Sequence, residues 1–398
     1  MKILMVNKFL YPKGGAEVYL LRLGAHLTEL GHEVEYFGMV HPDNTVGNRW
    51  ELYTSSMDFH GVSLLTKATY PLRVIYSAEA RKKMDHLLDK FRPDVLHINN
   101  FNYQLTPSIL LSAADFRRKG HSLRIIYTAH DSQLVCPNHM LYQPAAVQVC
   151  EQCLTGSPLH CVRGKCIHNS TARSILGALE SWYWKRRRVY EILDVILCPS
   201  AFMKRKLDTN SILSEKTVTL RNFVSHSPLT KGEKAGYVLY FGRFSEEKGI
   251  LPLLDACRAL PHIPFIFAGS GPLEDRLDGM PNVHKAGFIS GQSLTALIQG
   301  ARFSVCPSIC HDTGPFSVME SIMAGTPVLG SNRGGIPDLI EAGRSGWIYD
   351  ADNSNALTQE LSRIWDSDEP ERYAPACLDI HFDSLNEYTE KILQYYAI

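Results

Sequence analysis

Three segments near the start of the chain decide the fold: "KILMVN" (2–7), "AEVYLLRLGAHLTELG" (16–31) and "EVEYFG" (33–38). The first and third are short apolar runs bounded by polar or turn residues, the pattern of buried strands. In the second, apolar residues recur at helical spacing and stop at Gly31, which predicts a helix. The alternation continues through "VLHINN", "RIIYTAH", "VILCPS" and "TVTLRN", then restarts with "YVLYFGR", "PFIFAGS", "VHKAGF", "RFSVCPS", "PVLGS" and "GWIYD". Strands alternating with helices imply parallel sheets covered on both faces. The expected class is therefore α/β, with two doubly wound Rossmann-like units facing across a cleft. Ligands in such sheets sit outside the carboxyl ends of the strands.

A polar stretch, "SHSPLTKGEKAG" (225–236), reads as the linker. It sets expected domains at 1–225 and 226–383, with a helix over 384–398 packing back on the first domain. A chain of 398 residues is too long for a single core, which agrees. Lys+Arg and Asp+Glu each number 41, so no global charge points to nucleic acid. Residues 1–225 hold 28 basic and 19 acidic side chains, whereas 226–398 hold 13 and 22. This asymmetry suggests different partners for the two halves. No apolar run approaches the roughly 18 residues of a spanning helix. The opening segment turns polar at Asn7 and Lys8, too early for a signal-peptide core. A cytoplasmic protein is expected.

Arg243 and Lys248 stand five apart after "YVLYFGR". Two cations at the carboxyl end of a strand suit a diphosphate, although a solvated turn shared with Glu246 and Glu247 is the plain alternative. In "HDTGPFSVME" (311–320), Gly314 and Pro315 form a turn before a helix. Asp312 and Glu320 look at first like the acid pair of a glycoside hydrolase. Ser317 and Glu320 also have capping-box spacing, which would give Glu320 a purely structural task. Gly14 and Gly15 mark a close backbone approach or a positive-φ turn after the first strand. His130 and Asp131 end "RIIYTAH". No G-x-G-x-x-G follows the first strand, which argues against a dinucleotide oxidoreductase. The acid triplet "DSD" (366–368) follows a helical pattern and reads as a solvated loop.

These pieces together resemble the retaining family-4 glycosyltransferases of the GT-B fold. The resemblance runs from "YPKGGAEVYLLRLGAHLTELGHEV" through "YTAHDSQLVCP" and "FGRFSEEKG" to "GPFSVMESIMAGTPVLGSNRGGIPDLI". It implies that Arg243 and Lys248 bind the diphosphate of a UDP- or GDP-sugar, and that Glu320 takes the ribose hydroxyls. Asp312, where the family usually has Glu, would contact the transferred sugar along with the Gly314–Ser317 loop, in which Gly314, Phe316 and Ser317 carry amides and Pro315 shapes the turn. His130 would touch that sugar or the leaving diphosphate. Gly14 and Gly15 would face the donor phosphate and the acceptor, Asn222 would lie at an interdomain position, and backbone around Phe288 would seat the base. Catalysis would need no metal cofactor. The acceptor would be a glycan or a lipid-linked hydroxyl in cell-surface polysaccharide synthesis. Alternative readings are an inactive glycan-binding or scaffold protein and a glycoside phosphorylase.

Two features stand apart. Between Cys136 and Cys166, the pairs Cys150/Cys153 (C-x2-C) and Cys161/Cys166 (C-x4-C) suit a structural zinc. Reduced thiols packing a loop, or a disulfide, are the other readings. In "ESWYWKRRRVYE" (180–191), Trp182, Tyr183 and Trp184 adjoin four cations. With "RRK" (117–119) and "KRK" (204–206) they suggest an anionic membrane surface and a peripheral location.

Overall fold

The computed structural model describes residues 1–56, 72–224 and 234–397. Most of the expected linker, 225–233, lies outside the described residues. The chain divides into two compact units, one of residues 1–146, 150–220 and 385–398, the other of 147–149 and 221–384.

In the first unit the strands are β1 (Lys2–Val6), β2 (Glu33–Phe37), β3 (Val95–Ile98), β4 (Arg124–Thr128), β5 (Val195–Cys198) and β6 (Thr217–Thr219). They form one parallel sheet in the order β2-β1-β3-β4-β5-β6. Helix α1 (Gly15–Glu29) buries Tyr19, Leu20, Leu23 and Leu27, the stripe that its sequence spacing demands. Helices α2 (Ala78–Phe91), α3 (Ser108–Arg118), α4 (Thr171–Arg186) and α5 (Ala201–Leu207) cover the sheet. Serine side chains start three of them: Ser77, Ser170 and Ser200 accept from the amides of Ala80, Arg173 and Met203. Each such cap is worth roughly 1 kcal/mol. The final helix, Leu385–Tyr396, buries Tyr388, Ile392 and Tyr396 in this unit. The Tyr388 hydroxyl lies 2.7 Å from that of Tyr19, and the Tyr396 hydroxyl lies 2.6 Å from His97 Nδ1.

The second unit comprises β7 (Val238–Phe241), α6 (Ile250–Ala259), β8 (Phe265–Ala268), β9 (Val283–Gly287), α7 (Gly291–Gly300), β10 (Phe303–Cys306), α8 (Phe316–Met323), β11 (Val328–Ser331), β12 (Gly346–Tyr349) and α9 (Ala356–Trp365), with one further helix. Its sheet is parallel throughout, ordered β9-β8-β7-β10-β11-β12. That order reverses between β7 and β10, and the loops leaving these two strands diverge there to leave a crevice. β7 and β10 are buried along their whole length, which explains why β7 reads as an unbroken apolar run and β10 as one interrupted only by Ser304, whose hydroxyl is paired with that of Ser321 at 2.6 Å.

All twelve strand segments expected from the sequence are present. Three other readings are excluded: a capping box at Ser317 and Glu320, a positive-φ turn at Gly14 and Gly15, and a membrane-facing Trp184. Helix α8 begins at Phe316 with Pro315 in the cap position and no side-chain cap bond, so Ser317 and Glu320 form no capping box. Ser317 lies inside the helix, two residues past the cap position. Gly14 is extended, with φ −165° and ψ −172°, and Gly15 opens the α1 helix, so neither supplies a positive-φ turn. Trp184 is fully buried, its indole donating to Ile75 O at 2.9 Å and stacked on Tyr76, so it faces no membrane.

Candidate functional site

In the second unit the residues singled out in sequence gather at the β7/β10 switch point. After Phe241 the chain turns through Gly242 and Arg243, and Phe244 is driven into the core as an anchor. The Tyr240 hydroxyl donates to Arg243 O at 2.7 Å, which fixes the loop behind the exposed guanidinium. A single 3-10 turn, Glu246–Lys248, then carries Lys248 to the start of α6. On the β10 side, residues 307–315 lead into α8. Its first amides have no carbonyl partner within the helix, as at every helix start, so they present donors and a partial positive charge.

The two loops are joined by an ion pair between Lys248 Nζ and the Asp312 carboxylate. Asp312 is only 12% exposed at its side chain and Lys248 37%. Burial lowers the Lys248 pKa, but the charge and hydrogen bond of Asp312 outweigh it and raise it overall. The ammonium is therefore retained at neutral pH. Cys306 and Cys310 stand within electrostatic reach of the pair, and burial pushes both thiols up to about 12, so they add no competing charge. Asp312 is fixed from behind: the Gly335 amide donates to its carbonyl at 2.6 Å, and the Gly334 amide donates to His311 Nδ1 at 3.0 Å. A side chain at Gly334 would run into the Asp312 backbone.

Asn222 is buried and donates from Nδ2 to Gly314 O at 3.2 Å, so it holds the turn ahead of α8. Its Oδ1 is buried without a hydrogen-bond partner. Glu320 lies one turn into α8, half-buried. Phe288 follows β9 and is 79% exposed, and the carbonyl of the preceding Gly287 accepts from the Gly269 amide at 2.7 Å. "DSD" falls at the exposed junction after α9, with Asp368 beside Arg372 at 3.3 Å, a solvated loop as expected.

Gly14, Gly15 and His130 belong to the first unit, at the ends of β1 and β4. His130 Nε2 lies 2.8 Å from Asn99 Oδ1, an acceptor, so the ring donates there. Tyr19 packs edge-on at 4.8 Å. Burial pushes the His130 pKa down to about 3, and the ring is neutral at pH 7. It therefore carries no charge at neutral pH, and its one N–H is engaged with Asn99. The Gly14 loop is braced by Asn7 Nδ2, which donates to Phe9 O at 2.7 Å and to buried Glu17 at 3.1 Å.

Three histidines of this unit, His97, His130 and His139, are each held near 3 by burial. Their unfolded counterparts take up protons near pH 6.5, so acid favours the unfolded chain. Buried Glu180, raised to about 8 by burial, acts in the opposite sense over this range and offsets part of the effect. Urea denaturation is expected to show stability falling by about 3 kcal/mol from pH 7 to pH 5. A flat profile would contradict these burial assignments.

The sequence offered no sign of the Asn99, Gly334 or Cys310 contacts, because each depends on a loop meeting another strand's loop. The proximity of Asp312 to Lys248 was equally hidden, being 64 residues apart in sequence. Among the cysteines, Cys136, Cys153, Cys161 and Cys166 are buried, whereas Cys150 is only partly so. Two of the basic clusters are occupied: Arg117 pairs with Asp194, Arg118 with Asp115, Lys119 with Asp89 at 3.0 Å, Lys204 with Asp208 at 2.7 Å and Lys206 with Glu151 at 2.5 Å.

Residues 13–227 match the family model described as Glycosyltransferase Family 4, and residues 224–375 match Glycosyl transferases group 1. The first match alone spans more than half of the chain. The chain belongs to the glycosyltransferases. It is 26% identical to an uncharacterized 42.6 kDa protein in the cps region of Klebsiella pneumoniae, over 85% of this chain and 87% of that one. It is 29% identical to the amylovoran biosynthesis glycosyltransferase AmsK of Erwinia amylovora, over 32% of this chain. Several curated relatives are matched over only part of their length, 35% for AmsK and 58% for the uncharacterized glycosyltransferase MJ1178 of Methanocaldococcus jannaschii. The structure of Anabaena Alr3699/HepE in complex with UDP and glucose superposes with a TM-score of 0.65 at 16% identity, covering 99% of this chain and 98% of that one. That likeness shows the fold: two parallel-sheet Rossmann-like domains of the GT-B class.

Proposed function

We propose that this glycosyltransferase takes its sugar from a nucleotide-diphosphate sugar, with UDP- or GDP-sugars as the class, and transfers it with retention of anomeric configuration. The acceptor is a hydroxyl of a glycan or lipid-linked glycan in polysaccharide synthesis. The observation that carries this reading is the placement of Arg243 and Lys248 on one side of the β7/β10 switch point and the start of α8 with Glu320 on the other. Arg243 and Lys248 neutralise charge that grows on the diphosphate as the glycosidic bond breaks. The α8 amides face the sugar and phosphate. Glu320 accepts from the ribose hydroxyls. Asp312 orients Lys248 and contacts the sugar, while neutral His130 contributes a hydrogen bond. No side chain serves as a covalent nucleophile, so attack proceeds from the face of the leaving group, whose phosphate oxygen takes the acceptor proton.

Relatives named for polysaccharide synthesis and a fold neighbour solved with UDP and glucose support this assignment. A transfer assay tests it, with the product's anomeric configuration read by NMR. Retention is expected; an inverted product would overturn the mechanism. Replacing Glu320 by Gln is expected to weaken nucleotide binding about tenfold to a hundredfold, the range for one hydrogen bond to a charged group. Unchanged binding in calorimetry would remove the ribose role.

We also propose peripheral binding to anionic membranes. No helix among the described residues is long and apolar enough to cross a bilayer. On α4, Ile175, Leu179 and Trp182 are exposed at 44%, 49% and 54% along one face, next to exposed Arg186, Arg187 and Arg188. Vesicles containing phosphatidylserine are expected to bind the protein at low salt and release it at high salt, with Trp182→Ser weakening the association. Indifference to such vesicles at low salt would overturn this part.

A further inference from the structure

We propose that Asn99, Tyr19 and Tyr388 act as positioning residues that fix the tautomer and the orientation of His130, which makes the final helix a working part of the transfer chemistry. The inference rests on the role given to His130 above, and all the residues it uses belong to the first unit.

His130 stands just past the end of β4 with its ring partly exposed. The groups behind it, Asn99, Tyr19, Thr128, His97, Tyr388 and Tyr396, are each at most 1% exposed. Asn99 decides the tautomer. Its Nδ2 donates at 3.4 Å to Val6 O, a carbonyl that can only accept, so its Oδ1 is the atom that meets His130 Nε2 at 2.8 Å. An amide oxygen has no proton to give. The single proton of the neutral ring therefore sits on Nε2, and Nδ1 carries the lone pair. Nδ1 is thereby an acceptor suited to a hydroxyl, the donor group that sugars carry in number.

Tyr19 sets the orientation of the ring, packing edge-on with centroids 4.8 Å apart. Tyr19 is held in turn, its hydroxyl 2.7 Å from that of Tyr388 and 3.3 Å from Thr128 Oγ1. Thr128 Oγ1 lies 2.8 Å from His97 Nε2, and His97 Nδ1 lies 2.6 Å from the Tyr396 hydroxyl. A buried chain of polar groups thus leaves the final helix at Tyr396, crosses β3, β4 and α1, and rejoins the helix at Tyr388. His97 and Thr128 stand two residues before Asn99 and His130, so the chain braces both strand ends that carry the pair. Arg124 Nε adds a bond to Tyr395 O at 3.1 Å. Apolar packing would suffice to dock a helix. Burying five polar side chains instead is costly unless each is bonded in one geometry, which is what a fixed site demands. His97 and Tyr19, the titratable groups against the ring, carry no charge at pH 7, since burial holds His97 near 3 and pushes Tyr19 up to about 12. Asp131, the next residue along the chain, turns its carboxylate to the Gln133 amide at 2.9 Å.

The test combines turnover kinetics with a direct view of the ring in the full chain. In wild-type protein carrying isotope-labelled histidine, NMR is expected to show His130 protonated at Nε2 and bare at Nδ1 from about pH 8 to pH 6. The opposite tautomer, or titration within that range, would overturn the proposal. Tyr388→Phe and Tyr19→Phe keep the ring and remove one hydroxyl each. Each should lower kcat about tenfold to a hundredfold, as a misplaced group does, and leave KM for the nucleotide sugar unchanged. Asn99→Asp should draw a proton onto the ring and remove the acceptor. Its kcat should fall relative to wild type as the pH is lowered, with the acid limb moved up by about one to three pH units. His130→Ala separates this inference from the reading beneath it. Impaired turnover there, beside wild-type kcat in both phenylalanine variants, overturns the positioning roles alone. Normal turnover in His130→Ala removes the role given to His130, and the positioning roles with it. Should a variant fail to fold, the tautomer measured on the wild-type chain still decides.

Discussion

Replacing Lys248 by methionine is expected to lower turnover with a nucleotide-diphosphate sugar about a thousandfold while leaving the protein folded. Methionine keeps most of the aliphatic stem and removes the charge. Two losses then coincide. The cation proposed to face the growing charge of the leaving diphosphate is gone, and the Asp312 carboxylate, only 12% exposed, is left without its partner. An uncompensated acid beside the diphosphate repels the donor, so nucleotide affinity should fall with turnover. The double variant Lys248→Met/Asp312→Asn removes that repulsion. It is expected to recover nucleotide binding substantially but not turnover, because catalysis needs the positive charge itself. The ammonium is more than a third exposed, so solvent screening keeps the effect on folding small. Near-normal activity in Lys248→Met would contradict its assigned role.

The second large effect is expected at Gly249, between Lys248 and α6. Its φ of +76° lies in the left-handed region, and a Cβ there would run into the carbonyl of Pro307. Pro307 directly follows β10, so the collision would force apart the loops that carry Lys248 and Asp312. Backbone strain and overpacking together should cost about 3 kcal/mol in Gly249→Ala. Donor turnover should fall with it. Gly279 is the control: its φ is +80° but nothing lies within 4 Å of an added Cβ. Gly279→Ala isolates the dihedral term, roughly 1–2 kcal/mol, and should leave turnover unchanged. Equal destabilisation of the two variants in urea denaturation would show that the Pro307 contact is unimportant.

The architecture was legible because parallel strands buried on both faces leave apolar runs, such as "YVLYFG", separated by helical periodicity. The positions of Arg243, Lys248 and Glu320 followed from the same pattern, since each stands just past a strand or at a helix start. What local pattern could not supply was the partner across a sheet edge. Asp312 looked like half of an acid pair until the β7 and β10 loops placed it against Lys248. Trp184 looked like a membrane aromatic, yet helical spacing alone could not say which side of α4 met Tyr76. Its neighbour Trp182, two positions away, lies on the exposed side. Gly14 and Gly15 illustrate a different limit: a glycine pair suggests a turn, but here one is extended and the other helical.

Calorimetric titration of the wild-type chain with UDP, GDP and ADP tests the central claim most directly. One of these nucleotides is expected to bind with a stoichiometry near one, and both Lys248→Met and Glu320→Gln should weaken it. Binding of none of the three, by a protein shown to be folded, would contradict a nucleotide-diphosphate site at the β7/β10 switch point.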